Sequence, residues 1–132
     1  MMLTAVNSQC IKNASCTASS GRYVRNEVKE ADLPVTATIN IEGNKITLVK
    51  ILNGETKTTT YTLKKISQCN WMAYMIVGNA TYQVVADPGN GKLEKSIIRV
   101  DALDGATRIY FSSDATGKAG LELDLSEIRV AP

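Results

Sequence analysis

Four carboxylates, Asp87, Asp101, Asp104 and Asp114, lie near glycines in the segments DPGNG, DALDG and DATGKAG. Oxygen ligands beside glycine are what a calcium loop needs, and paired acids are what a glycosidase-type reaction needs. Neither DPGNG nor DALDG has the twelve-residue spacing and closing Glu of an EF-hand loop. Asp-Gly and Asn-Gly are also what tight hairpins require, and carboxylates in such turns are ordinarily solvated. The chain has no histidine, which removes the usual base of hydrolytic triads and the commonest metal ligand. It carries no Gly-x-Ser-x-Gly, phosphate loop or dinucleotide fingerprint. No catalytic residue, metal ligand or cofactor is therefore assigned, and the chain reads as non-enzymatic.

Cys10, Cys16 and Cys69 are the remaining reactive groups. Cys10-x5-Cys16 is not a zinc spacing, and three thiols without histidine make a poor metal site. In an oxidising compartment a Cys10–Cys16 or a Cys16–Cys69 disulfide would leave one thiol free; in a reducing one all three stay as buried thiols. For an exported chain the bridge is expected to use Cys16, tying the N-terminal arm to the domain and contributing roughly 2–4 kcal/mol. Residues 1–9, MMLTAVNSQ, run from apolar to small and polar like the tail of a signal peptide, without its basic start or full apolar core. That favours a secreted or periplasmic location.

Bulk properties narrow the partners. A chain of 132 residues supports one domain with a core. A net charge of +2, with Lys64-Lys65 as the only adjacent cations, is not the footprint of a nucleic-acid binder. No apolar run reaches the roughly 18 residues of a membrane span.

The positioning elements have period two. Val35, Ala37, Ile39 and Ile41 alternate with polar residues, a half-buried strand. KITLVKIL (45–52) changes phase, with Ile46 and Leu48 on one face and Val49 and Ile51 on the other, which suggests a bulge or burial of both faces. Strands are also expected over 21–28, 56–66, 71–78, 80–87, 95–102, 106–113 and 121–130, with EGN, NGE, PGNG and LDG as turns. RNEVKEADL, stopped by Pro34, tolerates a short helix, as does 121–130, whose strict alternation favours a strand. The fold class is all-β: an antiparallel up-and-down meander of about eight to nine strands, with a barrel preferred to a sandwich. Residues 1–20 are expected as a flexible N-terminal arm and 21–132 as a single β domain.

Gly21-Arg22-Tyr23 resembles the Gly-x-Trp element that opens the first strand of lipocalin-like and other calycin barrels, with Tyr in place of Trp. Arg129 stands where that family carries an arginine that packs on the Trp. The resemblance implies a ligand-holding barrel with Tyr23 packed at its closed end.

Two groups of side chains remain. Thr56, Thr58, Thr60 and Thr62 share a face, and Thr36 and Thr38 repeat the habit; a solvent-facing antiparallel sheet accounts for them. The scarce aromatics lie on the central strands. Trp71, Ala73, Met75 and Val77 share one face of the expected strand at 71–78, and with Tyr82 they are the candidate ligand-binding residues. The function implied is a binding protein holding an apolar small molecule. The alternative is a dry β scaffold that recognises a protein or cell-envelope partner.

Overall fold

The computed structural model describes residues 10–131. The signal-peptide reading of residues 1–9 falls outside them. Nine strands follow in order: β1 (Ala14–Arg25), β2 (Val28–Lys29), β3 (Leu33–Glu42), β4 (Lys45–Leu52), β5 (Glu55–Ala73), β6 (Val77–Asp87), β7 (Glu94–Leu103), β8 (Ala106–Ser112) and β9 (Gly120–Val130). Each long strand pairs antiparallel with the next, and β9 returns to pair with β1, so eight strands close a barrel. The two-residue β2 hangs on the end of β1 through Val24–Lys29 and Arg25–Val28. Closure leaves no open edge on the main sheet, which removes the usual site of strand-to-strand aggregation.

Alternation builds the interior. Val35, Ala37, Ile39 and Ile41 of β3 point inward, as do Ser96, Ile98, Val100 and Ala102 of β7. Ile39, Ile98 and Leu123 are fully buried, so the middle of the barrel is packed. An eight-strand barrel has an interior just wide enough for side chains to fill it or for one small ligand.

Three expectations are corrected. β1 begins at Ala14, so residues 14–20, expected in the arm, belong to a strand that pairs with both β3 and β9, with an irregularity between Ala18 and Ser20. WMAYMIVG is not one strand: β5 ends at Ala73, and the chain turns through Tyr74, Met75 and Ile76 before β6. Met75 has φ 63° and is 1% exposed, and Ile76 N–H donates to the Ala73 carbonyl. The turn carries none of the usual Asn-Gly chemistry; burial of the Met75 side chain in the barrel end offsets its strained backbone. Finally, the phase change in KITLVKIL involves no bulge. β4 is in unbroken register with β3 and β5, so Ile46, Leu48 and Lys50 face inward while Val49 and the 43% exposed Ile51 face out.

Closure rests on consecutive residues of β1. Gly21 lies against β9 so closely that a Cβ there would sit 2.4 Å from the Glu122 carbonyl oxygen and 3.0 Å from Leu123 Cδ2. Arg22 points to the opposite, outer face and is 7% exposed. Its guanidinium donates to Asp32 (2.8 Å), to Glu122 directly across the strand pair, and to Asp124. Ser20 Oγ donates to Asp124 at 2.9 Å, Lys29 reaches Glu122 at 3.2 Å, and Arg108 reaches Asp124 at 3.2 Å. The cluster pins β9 to β1 and holds the β2 segment over the seam.

Gly21→Ala is expected to lower stability by about 1–3 kcal/mol, since backbone must move to admit the methyl group. A fall in the urea midpoint reads this; an unchanged midpoint would show that β1 and β9 separate at no cost. Acid should act on the same seam. Burial alone would raise the Asp124 carboxyl, but hydrogen bonds from Arg22 and Ser20 outweigh it and hold it below the ordinary carboxylate range. A carboxylate depressed in the folded state stabilises at every pH above its unfolded value near 4, and that contribution is lost as pH falls through the folded value. Stability should therefore drop on acidification below about pH 4, and Asp124→Asn should make that drop shallower; an identical acid profile would contradict the assignment.

Candidate functional site

The two ends of the barrel are built differently. One end holds Cys10, the 74–76 turn and the starts of β1, β6 and β8, and it is packed shut. Cys10 forms a disulfide with Cys69 of β5, their Cα atoms 5.6 Å apart. The Tyr82 hydroxyl donates to the Cys10 carbonyl, Tyr74 donates to the Lys12 carbonyl at 3.2 Å, and the Thr107 hydroxyl donates to the Met75 carbonyl at 2.7 Å. The Trp71 and Tyr74 rings meet edge to face at 5.5 Å, and among the described residues the Trp71 indole N–H has no hydrogen-bond partner.

The other end opens into a cavity of about 480 Å3. Its floor is apolar: Tyr61 of β5 and Phe111 of β8, which are not neighbouring strands, meet across the barrel with ring centroids 5.2 Å apart, beside Leu48 and Leu121. Small side chains, Ala86 and Ser96, leave the room above them. Ser96 Oγ is already engaged, donating to the Ser112 carbonyl at 2.6 Å. Burial pushes the Tyr61 phenol up to about 12, so at neutral pH it is a neutral hydroxyl bordering the cavity. The rim is polar, with Tyr23, Lys50, Lys57, Thr59 and Glu94.

Lys50 and Lys57 are direct partners in the β4–β5 register and both line this cavity. Lys50 Nζ lies 6.0 Å from the centre of the Tyr23 ring. Burial, and then the charge of Lys57, hold its pKa below the ordinary lysine value. Two ammonium groups over an oily floor give the mouth of the cavity a positive charge.

The sequence-based site residues do not gather in this cavity. Trp71 is half-buried in the shut end, Ala73 is the exposed last residue of β5, and Met75 plugs the turn. Val77 is 37% exposed at the start of β6, and Tyr82 is buried beneath Cys10. Tyr23 was expected at the closed end; it lines the open one. Arg129 does not reach it, because it pairs with Ser15 at the far end of the β1–β9 seam and bonds Glu127 at 3.2 Å in solvent. The residues missed, Lys50, Lys57, Tyr61 and Phe111, stand at inward positions of strands that the alternation does identify. Tyr61 and Phe111 were legible from that phase; the lysines were not, because charge at an inward position reads as a break in the pattern.

The carboxylates do not converge. Asp87 accepts from Gly89 N–H at 3.0 Å and Asp114 from Thr116 N–H at 2.9 Å, each stiffening its own loop. Asp104 occupies a hairpin turn with φ 54°, and Asp101 lies exposed on β7.

The disulfide corrects the pairing expected of Cys16. That residue lies between Ala14 and Ala18 on the inward face of β1, 1% exposed, whereas Cys10 precedes the strand and is free to cross the barrel end to β5. Burial pushes the Cys16 thiol up to about 11, so it stays protonated and shielded. Under non-reducing conditions the native protein should show no thiol reactive to Ellman's reagent, one after denaturation and three after reduction. A thiol that reacts in the native state would show Cys16 to be accessible.

The chain matches no family model, no curated protein and no solved structure. Its geometry is that of an eight-strand antiparallel barrel, compatible with a calycin-like fold.

Proposed function

We propose that this protein is a non-enzymatic binding barrel of lipocalin-like type, secreted or periplasmic, whose open end holds a small molecule with an apolar body. The observation that carries this reading is the unfilled cavity of about 480 Å3 over Tyr61 and Phe111, in a barrel that is otherwise packed. Ligand pockets are typically ~300–1,000 Å3, mostly apolar, with a few placed polar groups. The Cys10–Cys69 disulfide supports an oxidising location.

A second reading, recognition of a protein or envelope partner, is favoured by a separate feature. Met72 (88% exposed), Ile76 (61%) and Leu103 (68%) stand exposed in or beside the β5–β6 and β7–β8 turns of the shut end. Large apolar side chains left exposed at one end of a barrel are candidates for a contact surface.

Nile red, a neutral apolar dye, separates the two. A blue-shifted rise in its emission is expected with the native protein. Ala86→Phe, which fills the cavity from the wall, should abolish that rise without lowering the melting temperature. No dye response, and no co-purified small molecule by native mass spectrometry, would leave the partner-recognition reading. A response that survives Ala86→Phe but disappears in Trp71→Ala would move the ligand to the opposite end.

A further inference from the structure

We infer that the cavity is built for a single-chain amphiphile with one anionic head group, its tail against Tyr61 and Phe111 and its head between Lys50 and Lys57. This deepens the binding-barrel reading and rests on it. The two lysines are directly opposed across β4 and β5. Like charges directly opposite in a sheet are destabilising, and nothing in the packing of the barrel requires them there. An anion placed between them would offset their mutual repulsion and accept a charge-assisted hydrogen bond from each.

The neighbours leave that role open. The charge that acts on Lys50 is another cation, Lys57, and its close aromatic neighbour is the Tyr23 ring. Arg25, also on the lining, is engaged with Glu30 at 3.0 Å. Glu94 stands on β7, elsewhere on the rim, and opposes a second negative charge on the ligand, which favours a monoanion. A cavity of about 480 Å3 admits one short chain and not the paired chains of a membrane lipid. Along β5 the inward positions run Tyr61, Thr59, Lys57 from the floor toward the mouth, with Lys50 opposite Lys57.

Isothermal titration with decanoate, decanol and decyltrimethylammonium at neutral pH tests this, on the native protein and on a Lys50→Gln/Lys57→Gln double variant. Removing the lysines relieves a like-charge contact, so the variant should fold; its circular dichroism and urea midpoint verify that. Decanoate should bind at least about tenfold tighter than decanol, and the cation weakest. In the double variant the decanoate-to-decanol ratio should collapse toward one. Equal affinities in the native protein, or a preference for decanoate that survives loss of both lysines, would overturn the inference while leaving the binding barrel standing. Failure of all three ligands, together with exclusion of Nile red, would overturn both.

Discussion

Everything in this barrel depends on how closely β1 approaches β9. The carbonyl of Glu122 occupies space that any side chain at residue 21 would need, so glycine is required for closeness rather than for an unusual dihedral angle. Closeness inside then forces a problem outside. The next residue, Arg22, must face the outer surface of the same strand pair, under the β2 segment, where its guanidinium is almost wholly withdrawn from water. Such a burial costs several kcal/mol unless the charge is fully partnered. Asp32, Glu122 and Asp124 partner it from three directions, and because they come from the β2–β3 connection and from β9, satisfying the charge also fixes the seam. The third residue, Tyr23, faces inward again and becomes part of the cavity rim. Three consecutive residues thus supply the close approach, the outer pin and one wall of the cavity.

The asymmetry of the two ends follows from what each must do. At the shut end the chain enters the barrel, and the Cys10–Cys69 bond holds that entry across a sequence separation of 59. In the chain-entropy picture a loop of that size is worth about 4 kcal/mol. Met75, Tyr74 and Tyr82 fill the space beneath, at the cost of a left-handed backbone at Met75. The open end has no comparable plug. There the inward positions are Ala86 and Ser96 on adjacent strands, and small residues at inward positions leave volume that only a ligand or water can occupy.

Period two made most of this architecture readable from the residues. β3, β6, β7 and β9 are legible from their alternation, and the turns that end β3, β4, β6 and β7 from their Gly, Asn and Asp residues. The strand count came out right for a compensating reason: the expected strand at 71–78 is a hairpin, while the two-residue β2 takes its place in the tally. β5 runs 19 residues by absorbing irregularities at Leu63/Lys65, Ile66/Gln68 and Trp71/Ala73, each of which shifts the phase that a sequence pattern would follow. The site was harder to see. Trp71, Met75 and Val77 attract attention because they are large and apolar, yet such side chains are what a barrel uses to seal an end. An empty volume is marked in sequence by what is small, and Ala86 and Ser96 carry no signal alone. Cys16 misled likewise, since nearness in sequence says nothing about which face a thiol occupies.

The chemistry of the mouth is finally a matter of register. Lys50 and Lys57 face each other because Asn53 and Gly54, both with positive φ, form a tight two-residue turn that sets Leu52 opposite Glu55. From that turn the pairing runs without a bulge through Lys50–Lys57 and Leu48–Thr59 to Ile46–Tyr61. One added residue would turn the whole of β5 over, sending Tyr61 to solvent and the outward threonines Thr58 and Thr60 into the core. The buried Tyr61 makes that alternative costly, so the floor of the cavity enforces the register that brings the two charges together at its rim. Oily depth and cationic mouth are therefore not independent features, because a single turn sets both.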